Sequence, residues 1–147
     1  MMTDDEIEAA ARRMTGCTLP KAEWTHEAHF AVALWLLRER GEAPVRAEMP
    51  GLIRRYNESV GGRNTDTEGY HETITQASLT MAARALAEAG PDAPLSVALM
   101  ALMAGPCGKP DWIFAYWTKE VLFSVDARLG WIAPDVAPLP VGGGLAL

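Results

Sequence analysis

The 147-residue sequence has few cysteines, no basic cluster and no long apolar run. Its two cysteines, Cys17 and Cys107, form neither a CxxC nor a CxxH motif, so we expect free thiols in a reducing compartment. The net charge is −6, which argues against a nucleic-acid partner. No apolar stretch approaches the ~20 residues of a membrane span. The acidic amino terminus differs from a signal peptide, so we expect a cytoplasmic protein with no membrane partner.

Helical patterns follow one another along the chain, without a convincing run of alternating strand residues. We therefore predict an all-α protein whose core is a four-helix bundle with up-down-up-down topology. Short extra helices should follow this core. The predicted domain covers residues 1–133, and residues 134–147 are predicted to form an irregular tail rich in proline and glycine.

Capping residues and glycines mark the expected ends of the first helices. Thr3 with Glu6 has the spacing of a capping box. Thr25 is expected to cap the second helix, which should run to Gly41. Pro50 is expected to break or restart the third helix, because proline lacks the backbone N–H that a helix needs.

A second capping box, Thr65 with Glu68, predicts the start of the fourth helix. This start would place His71 about two turns into the helix, on its apolar side. A nearly all-apolar helix is predicted from Leu95 to Ala104, and Ser124 is expected to cap a last short helix. The aromatic segment 112–117 is ambiguous between helix and extended chain.

All three histidines lie in two similar segments, Trp24–His29 and Gly69–Thr73. His26 and His29 are three residues apart, so on a helix they share one face. In the predicted topology the second and fourth helices begin at the same end of the bundle, which would bring His71 to the same place. The sequence therefore predicts a mononuclear three-histidine site for a divalent metal ion such as Zn, Ni, Fe or Mn.

Such a site would leave a coordination position for water or substrate and lower the pKa of a bound water to about 7. Glu27 and Glu72 each follow a histidine and are candidate general bases, although solvated or capping carboxylates are an equal interpretation. Tyr116 lies in the aromatic segment expected to wall the site. These residues favour a metal-dependent hydrolase or transferase acting on a small molecule.

Two alternatives remain open from the sequence. In the first, the histidines and the aromatic residues line a small-ligand pocket without metal, in a binding or structural module. In the second, Glu23-x-x-His26 and Glu68-x-x-His71 have the spacing of carboxylate-bridged di-iron bundles, although capping also explains both glutamates. A homodimer is compatible with either interpretation.

Several motifs together carry a resemblance to known proteins: residues 24–29 (WTHEAH), 56–61 (YNESVG), 64–67 (NTDT), 69–75 (GYHETIT) and 122–124 (LFS). The chain resembles a family of small uncharacterised bacterial proteins, over a region from about Leu19 to Pro140. Its architecture is also similar to DinB/YfiT-like bundles. That second resemblance implies a helical bundle with three histidines on a divalent metal, although those proteins space their histidines differently.

Overall fold

The computed structural model describes residues 1–140, which form seven α-helices and no strand. The helices are α1 (Asp4–Thr15), α2 (His26–Arg40), α3 (Glu42–Ser59), α4 (Glu72–Ala89), α5 (Leu95–Ala104), α6 (Lys119–Leu122) and α7 (Val125–Leu129). Three short 3₁₀ turns, Lys21–Glu23, Pro106–Gly108 and Trp112–Ala115, lie between them. The predicted all-α class is confirmed.

Helix α2 lies at the centre of the fold and packs against α1, α3, α4 and α5. Its buried residues occur on all of its sides, because almost every position from Ala28 to Leu37 is apolar. The packing is compatible with a helical bundle, whereas the up-down-up-down order of the core stays a prediction. Within residues 1–140 no helix is both long enough and apolar enough to cross a membrane.

The local start signals of three helices are confirmed. Thr3 and Glu6 form both hydrogen bonds of a capping box, at 3.2 and 2.9 Å. The Thr25 hydroxyl accepts a hydrogen bond from the backbone N–H of Ala28 at 3.1 Å, and α2 ends at Gly41 as expected. Ser124 caps α7 in the same way.

Helix α3 runs through Pro50 without interruption, so the expected break at this residue is wrong. Proline cannot donate a hydrogen bond to the carbonyl oxygen of Arg46, four residues earlier. The side-chain amide of Gln76 on α4 donates to that oxygen instead, at 3.3 Å. The Arg46 guanidinium in turn donates to Gln76 Oε1 and to the Thr80 hydroxyl, both at 2.9 Å. Contacts with α4 thus compensate for the missing helical bond.

Helix α4 begins at Glu72, seven residues after Thr65, so the predicted start is wrong. The Thr65 hydroxyl accepts hydrogen bonds from the N–H groups of Thr67 and Glu68, but these bonds close a turn within the loop. Gly69 then adopts a φ of +82°, which interrupts a helix, and a Cβ at this position would lie 2.0 Å from a backbone oxygen. The residue that caps α4 is His71.

The segment after α5 is compact and aromatic. Trp112–Ala115 is a 3₁₀ turn, and α6 follows where no helix was predicted. Trp117 is fully buried, and its indole N–H donates to the carbonyl oxygen of Ile132 at 2.9 Å. Asp135 accepts hydrogen bonds from the backbone and the hydroxyl of Thr118, which tie the following chain to α6. Residues 134–140 contain no helix, and the rest of the predicted tail lies outside the described residues.

Candidate functional site

His26 is the first residue of α2 and is half-buried. Its Nε2–H donates a hydrogen bond of 2.7 Å to the carbonyl oxygen of Cys107. The edge of its ring meets Phe30, with the ring centroids 5.4 Å apart. The ring therefore joins the beginning of α2 to the turn after α5, and only Nδ1 is left for another partner.

His29 is the exposed histidine of the three, and one of its ring nitrogens has no partner among the described residues. Its Nδ1–H donates to the carbonyl oxygen of Thr25 at 2.6 Å, whereas Nε2 makes no hydrogen bond to the described residues. The ring packs on Trp24, with centroids 3.8 Å apart. His29 is exposed to solvent, and the protein atoms that surround its ring nevertheless lower its pKa by desolvation. The hydrogen bond from Nδ1 to Thr25 therefore leaves Nε2 as the ring nitrogen of His29 without a partner among the described residues.

His71 is 7 % exposed and uses both ring nitrogens to hold the fold together. Nδ1 accepts a hydrogen bond from the backbone N–H of Ile74 at 3.1 Å, which caps α4. Nε2–H donates to the carbonyl oxygen of Leu122 at 2.7 Å. Burial lowers the pKa of His71, so the ring is held neutral with its proton on Nε2.

The three histidines, as placed, do not fit the predicted metal site. Metal ligation needs a free nitrogen lone pair on each imidazole, and both nitrogens of His71 are engaged. Across residues 1–140, no three or more His, Cys, Asp or Glu side chains form a group that could hold a metal ion. The same finding applies to the carboxylates of the di-iron alternative. In the structure, Glu23 instead forms a salt bridge with Arg13 at 3.3 Å. The metal cofactor itself stays a prediction.

The three predicted catalytic residues lie in different surroundings. Glu72 accepts hydrogen bonds from the Tyr70 hydroxyl and from Gln76, so its carboxylate is used within the fold. Burial and this acceptor raise the pKa of Tyr70 well above its usual range. Glu27 and Tyr116 are half-buried and line neither of the two cavities that contain histidines. A catalytic role for Glu27, Glu72 or Tyr116 stays a prediction.

The first histidine-lined cavity, here called the polar cavity, has a volume of about 470 Å³. It lies where the start of α2, the second half of α3, the loop 60–70 and the start of α4 meet. Its aromatic and polar lining consists of Lys21, Trp24, His29, Asn57, Arg63, Glu68, Tyr70, His71 and Thr75. Convergent polar groups beside aromatic rings are the usual composition of a small-molecule site.

The second, here called the aromatic cavity, has a volume of about 390 Å³. Its lining is mostly apolar and consists of His26, His29, Phe30, Ile74, Ser78, Pro110, Trp112, Ile113, Phe114, Leu122 and Phe123. The sequence analysis expected the segment 112–117 to wall the site. Trp112 to Phe114 do line this cavity, whereas Tyr116 and Trp117 do not.

Asn64 organises the loop that walls the polar cavity, a role the sequence analysis missed. Its Oδ1 accepts hydrogen bonds from the Asn57 side chain and from the backbone N–H of Tyr70, both at 3.1 Å. Its Nδ2 donates to the Arg54 carbonyl oxygen and to the Glu58 carboxylate, both at 3.0 Å. One amide side chain thereby ties the end of α3 to the segment that precedes His71. The sequence signal was the NTDT motif, which was instead interpreted as part of a helix start.

Comparisons of the chain with protein-family models, with curated proteins and with solved structures found no match.

Proposed function

We propose that this protein binds a small molecule in the polar cavity, and that the ligand donates a hydrogen bond to Nε2 of His29. The observation that carries the proposal is the state of this imidazole: Thr25 fixes its proton on Nδ1, and Nε2 has no partner among the described residues. An acceptor without a protein partner on the wall of a cavity is a recognition element for an N–H or O–H group.

Contacts around His29 fix the orientation of its ring, which supports ligand binding at a preformed site. Trp24 packs on one face of the imidazole and also contacts Tyr56, so the ring is held in place. The Tyr56 hydroxyl donates to the Leu19 carbonyl oxygen at 2.9 Å, which fixes this wall to the segment before α2. A pre-organised wall reduces the entropy that binding must offset. A neutral imidazole of this kind is also suited to accept a proton, so general-base chemistry is compatible with the proposal.

A matched pair of probes tests the role of His29. N-Acetylglycine carries an amide N–H, whereas N-acetylsarcosine replaces that hydrogen with a methyl group. We expect N-acetylglycine to bind more tightly and to shift the NMR signals of the His29 ring and the Trp24 indole N–H. His29→Gln should remove this preference, and Glu39→Gln, at the exposed far end of α2, should preserve it. Equal binding of the two probes would overturn the proposal.

The metal-dependent hydrolase or transferase is the alternative that the sequence favours. It requires His71 to exchange its bonds to Ile74 and Leu122 for metal ligation. Elemental analysis of protein purified without a metal-affinity tag, followed by Zn²⁺ titration, separates the two proposals. One tightly bound ion per chain, lost in His29→Gln while circular dichroism shows that the variant folds, would favour the metal-dependent alternative.

A further inference from the structure

The polar and aromatic cavities are neighbours that share two lining residues, His29 and Ile74. His29 therefore lies between a polar compartment and an apolar one.

Charge distinguishes the two compartments. Lys21, Arg63 and Glu68 line the polar cavity, which gives it a net charge of one positive unit. Neither Lys21 nor Arg63 forms a salt bridge within residues 1–140. The aromatic cavity, by contrast, has no Asp, Glu, Lys or Arg in its lining. An anionic group is thus matched to the first compartment and an uncharged group to the second.

An exposed phenylalanine borders the aromatic cavity. Phe123 is 58 % exposed, and its ring and that of Phe114 pack edge to face with centroids 5.8 Å apart. Exposed apolar side chains beside an apolar cavity mark surface that a ligand can remove from water. An alkyl chain in this cavity would cover both rings.

We propose that the ligand is an amphipathic anion with three parts: a carboxylate in the polar cavity, an N–H group opposite His29, and an alkyl chain in the aromatic cavity. N-Acyl amino acids are the simplest class with this sequence of groups. This inference rests on the proposed function, because it uses the same hydrogen bond to His29 and adds the two compartments on either side.

Chain length provides the main test. Calorimetric titrations would compare N-acetylglycine with N-hexanoyl-, N-octanoyl- and N-decanoylglycine, each below its critical micelle concentration. We expect the affinity to rise by up to about fourfold for each methylene group that becomes buried. An affinity that does not change along the series would overturn the amphipathic ligand. Binding of N-acetylglycine itself would then still support the proposed function, whereas no binding by any member would overturn both.

Two substitutions locate the alkyl chain. Ser78→Leu fills the aromatic cavity and should weaken binding of N-decanoylglycine by about tenfold, while Ser96→Leu, on α5 and away from both cavities, should leave it unchanged. Circular dichroism would verify that both variants fold. Phe123→Ser changes an exposed residue, and we expect it to weaken binding several-fold while preserving the fold. Equal affinities for all three variants and the wild type would overturn the placement of the chain.

The carboxylate is tested with a neutral ligand. N-Decanoylglycinamide keeps the alkyl chain and the N–H group but removes the negative charge. We expect about a tenfold loss of affinity for this amide in the wild-type protein. The Arg63→Gln variant should lose most of the preference for the acid over the amide. Equal binding of acid and amide to the wild type would overturn the charge assignment.

Discussion

The Nε2–H of His71 donates a 2.7 Å hydrogen bond to the carbonyl oxygen of Leu122, which is 51 residues later in the chain. Through its other ring nitrogen, the same side chain caps α4. One imidazole therefore joins the first turn of a long helix to the end of the short helix α6. Because both ring nitrogens form hydrogen bonds within the fold, His71 is a structural residue, independent of any ligand that the polar cavity binds.

Replacing His71 should be costly, and the two substitutions His71→Ala and His71→Asn should differ. Alanine removes the cap and leaves the Leu122 carbonyl oxygen without its donor, so we expect a loss of roughly 2–4 kcal/mol in the free energy of unfolding. Asparagine can still cap a helix and should recover about 1 kcal/mol. Urea denaturation measures both values. A wild-type stability for His71→Ala would show that these bonds are not formed in solution.

Stability should decrease as the pH falls below about 6.5. Burial lowers the pKa values of His71 and His29 in the folded protein relative to the ordinary value of 6.5. Between the lowered pKa of each histidine in the folded protein and its ordinary pKa in the unfolded chain, the unfolded chain binds more protons than the folded one. Acid therefore favours unfolding in that pH window. Above pH 6.5 the contribution is fully present. Urea denaturation from pH 5 to pH 8 should show this slope, and His71→Asn should reduce it. An unchanged slope in that variant would assign the pH dependence to other groups.

Pro50 and Gln76 should be energetically coupled through the Arg46 carbonyl oxygen. In the wild type, Gln76→Leu removes the side-chain donor to that oxygen, at an expected cost of ~1–3 kcal/mol. In a Pro50→Ala background the backbone N–H at position 50 can donate instead, so the same change should cost about 1 kcal/mol less. A double-mutant cycle measured by thermal or chemical denaturation gives this difference. Additive effects would mean that the side-chain amide does not replace the helical bond.

Thr65→Ala should leave the start of α4 unchanged. The Thr65 hydroxyl accepts its bonds within the loop, so we expect a loss of ~1 kcal/mol or less and no change in the amide-exchange protection of residues 74–77. Asn64→Ala removes four hydrogen bonds from the wall of the polar cavity and should weaken N-acetylglycine binding more than Thr65→Ala does. Loss of protection at the start of α4 in Thr65→Ala would restore the capping box of the sequence analysis.

Helix ends that depend on neighbouring residues could be predicted from the sequence. Thr25 lies three residues before the N–H group it caps, and Gly41 ends α2 with a φ of +88°. The start of α4 could not be predicted in this way, because a loop turn at Thr65 has the same spacing as a capping box. Two contacts beyond the capping-box spacing distinguish them: Gly69 packs against the Arg63 carbonyl oxygen within the loop, and Leu122, far along the chain, supplies the acceptor for His71.

The surroundings of the three histidines could be derived from the sequence only in part, for the same reason. Sequence spacing identified the two segments that border the cavities, and the structure places His29 and His71 on the polar cavity and His26 and His29 on the aromatic one. The direction of each ring depends on distant acceptors, such as the Cys107 carbonyl oxygen that holds His26. Spacing along the chain gives no information about such acceptors, so the direction of each ring could not be predicted, and the three-histidine metal site stays a prediction.

The position of Cys107 gives the protein a built-in chemical reporter. Cys107 is 1 % exposed, and burial raises the pKa of its thiol to about 11, so very little reactive thiolate is present at neutral pH. Cys17 is half-buried and is the more accessible of the two thiols. A thiol reagent should therefore label Cys17 first. The slower rate of Cys107 labelling would then report how often the turn that holds His26 opens. A bound ligand that spans both cavities would lower this rate.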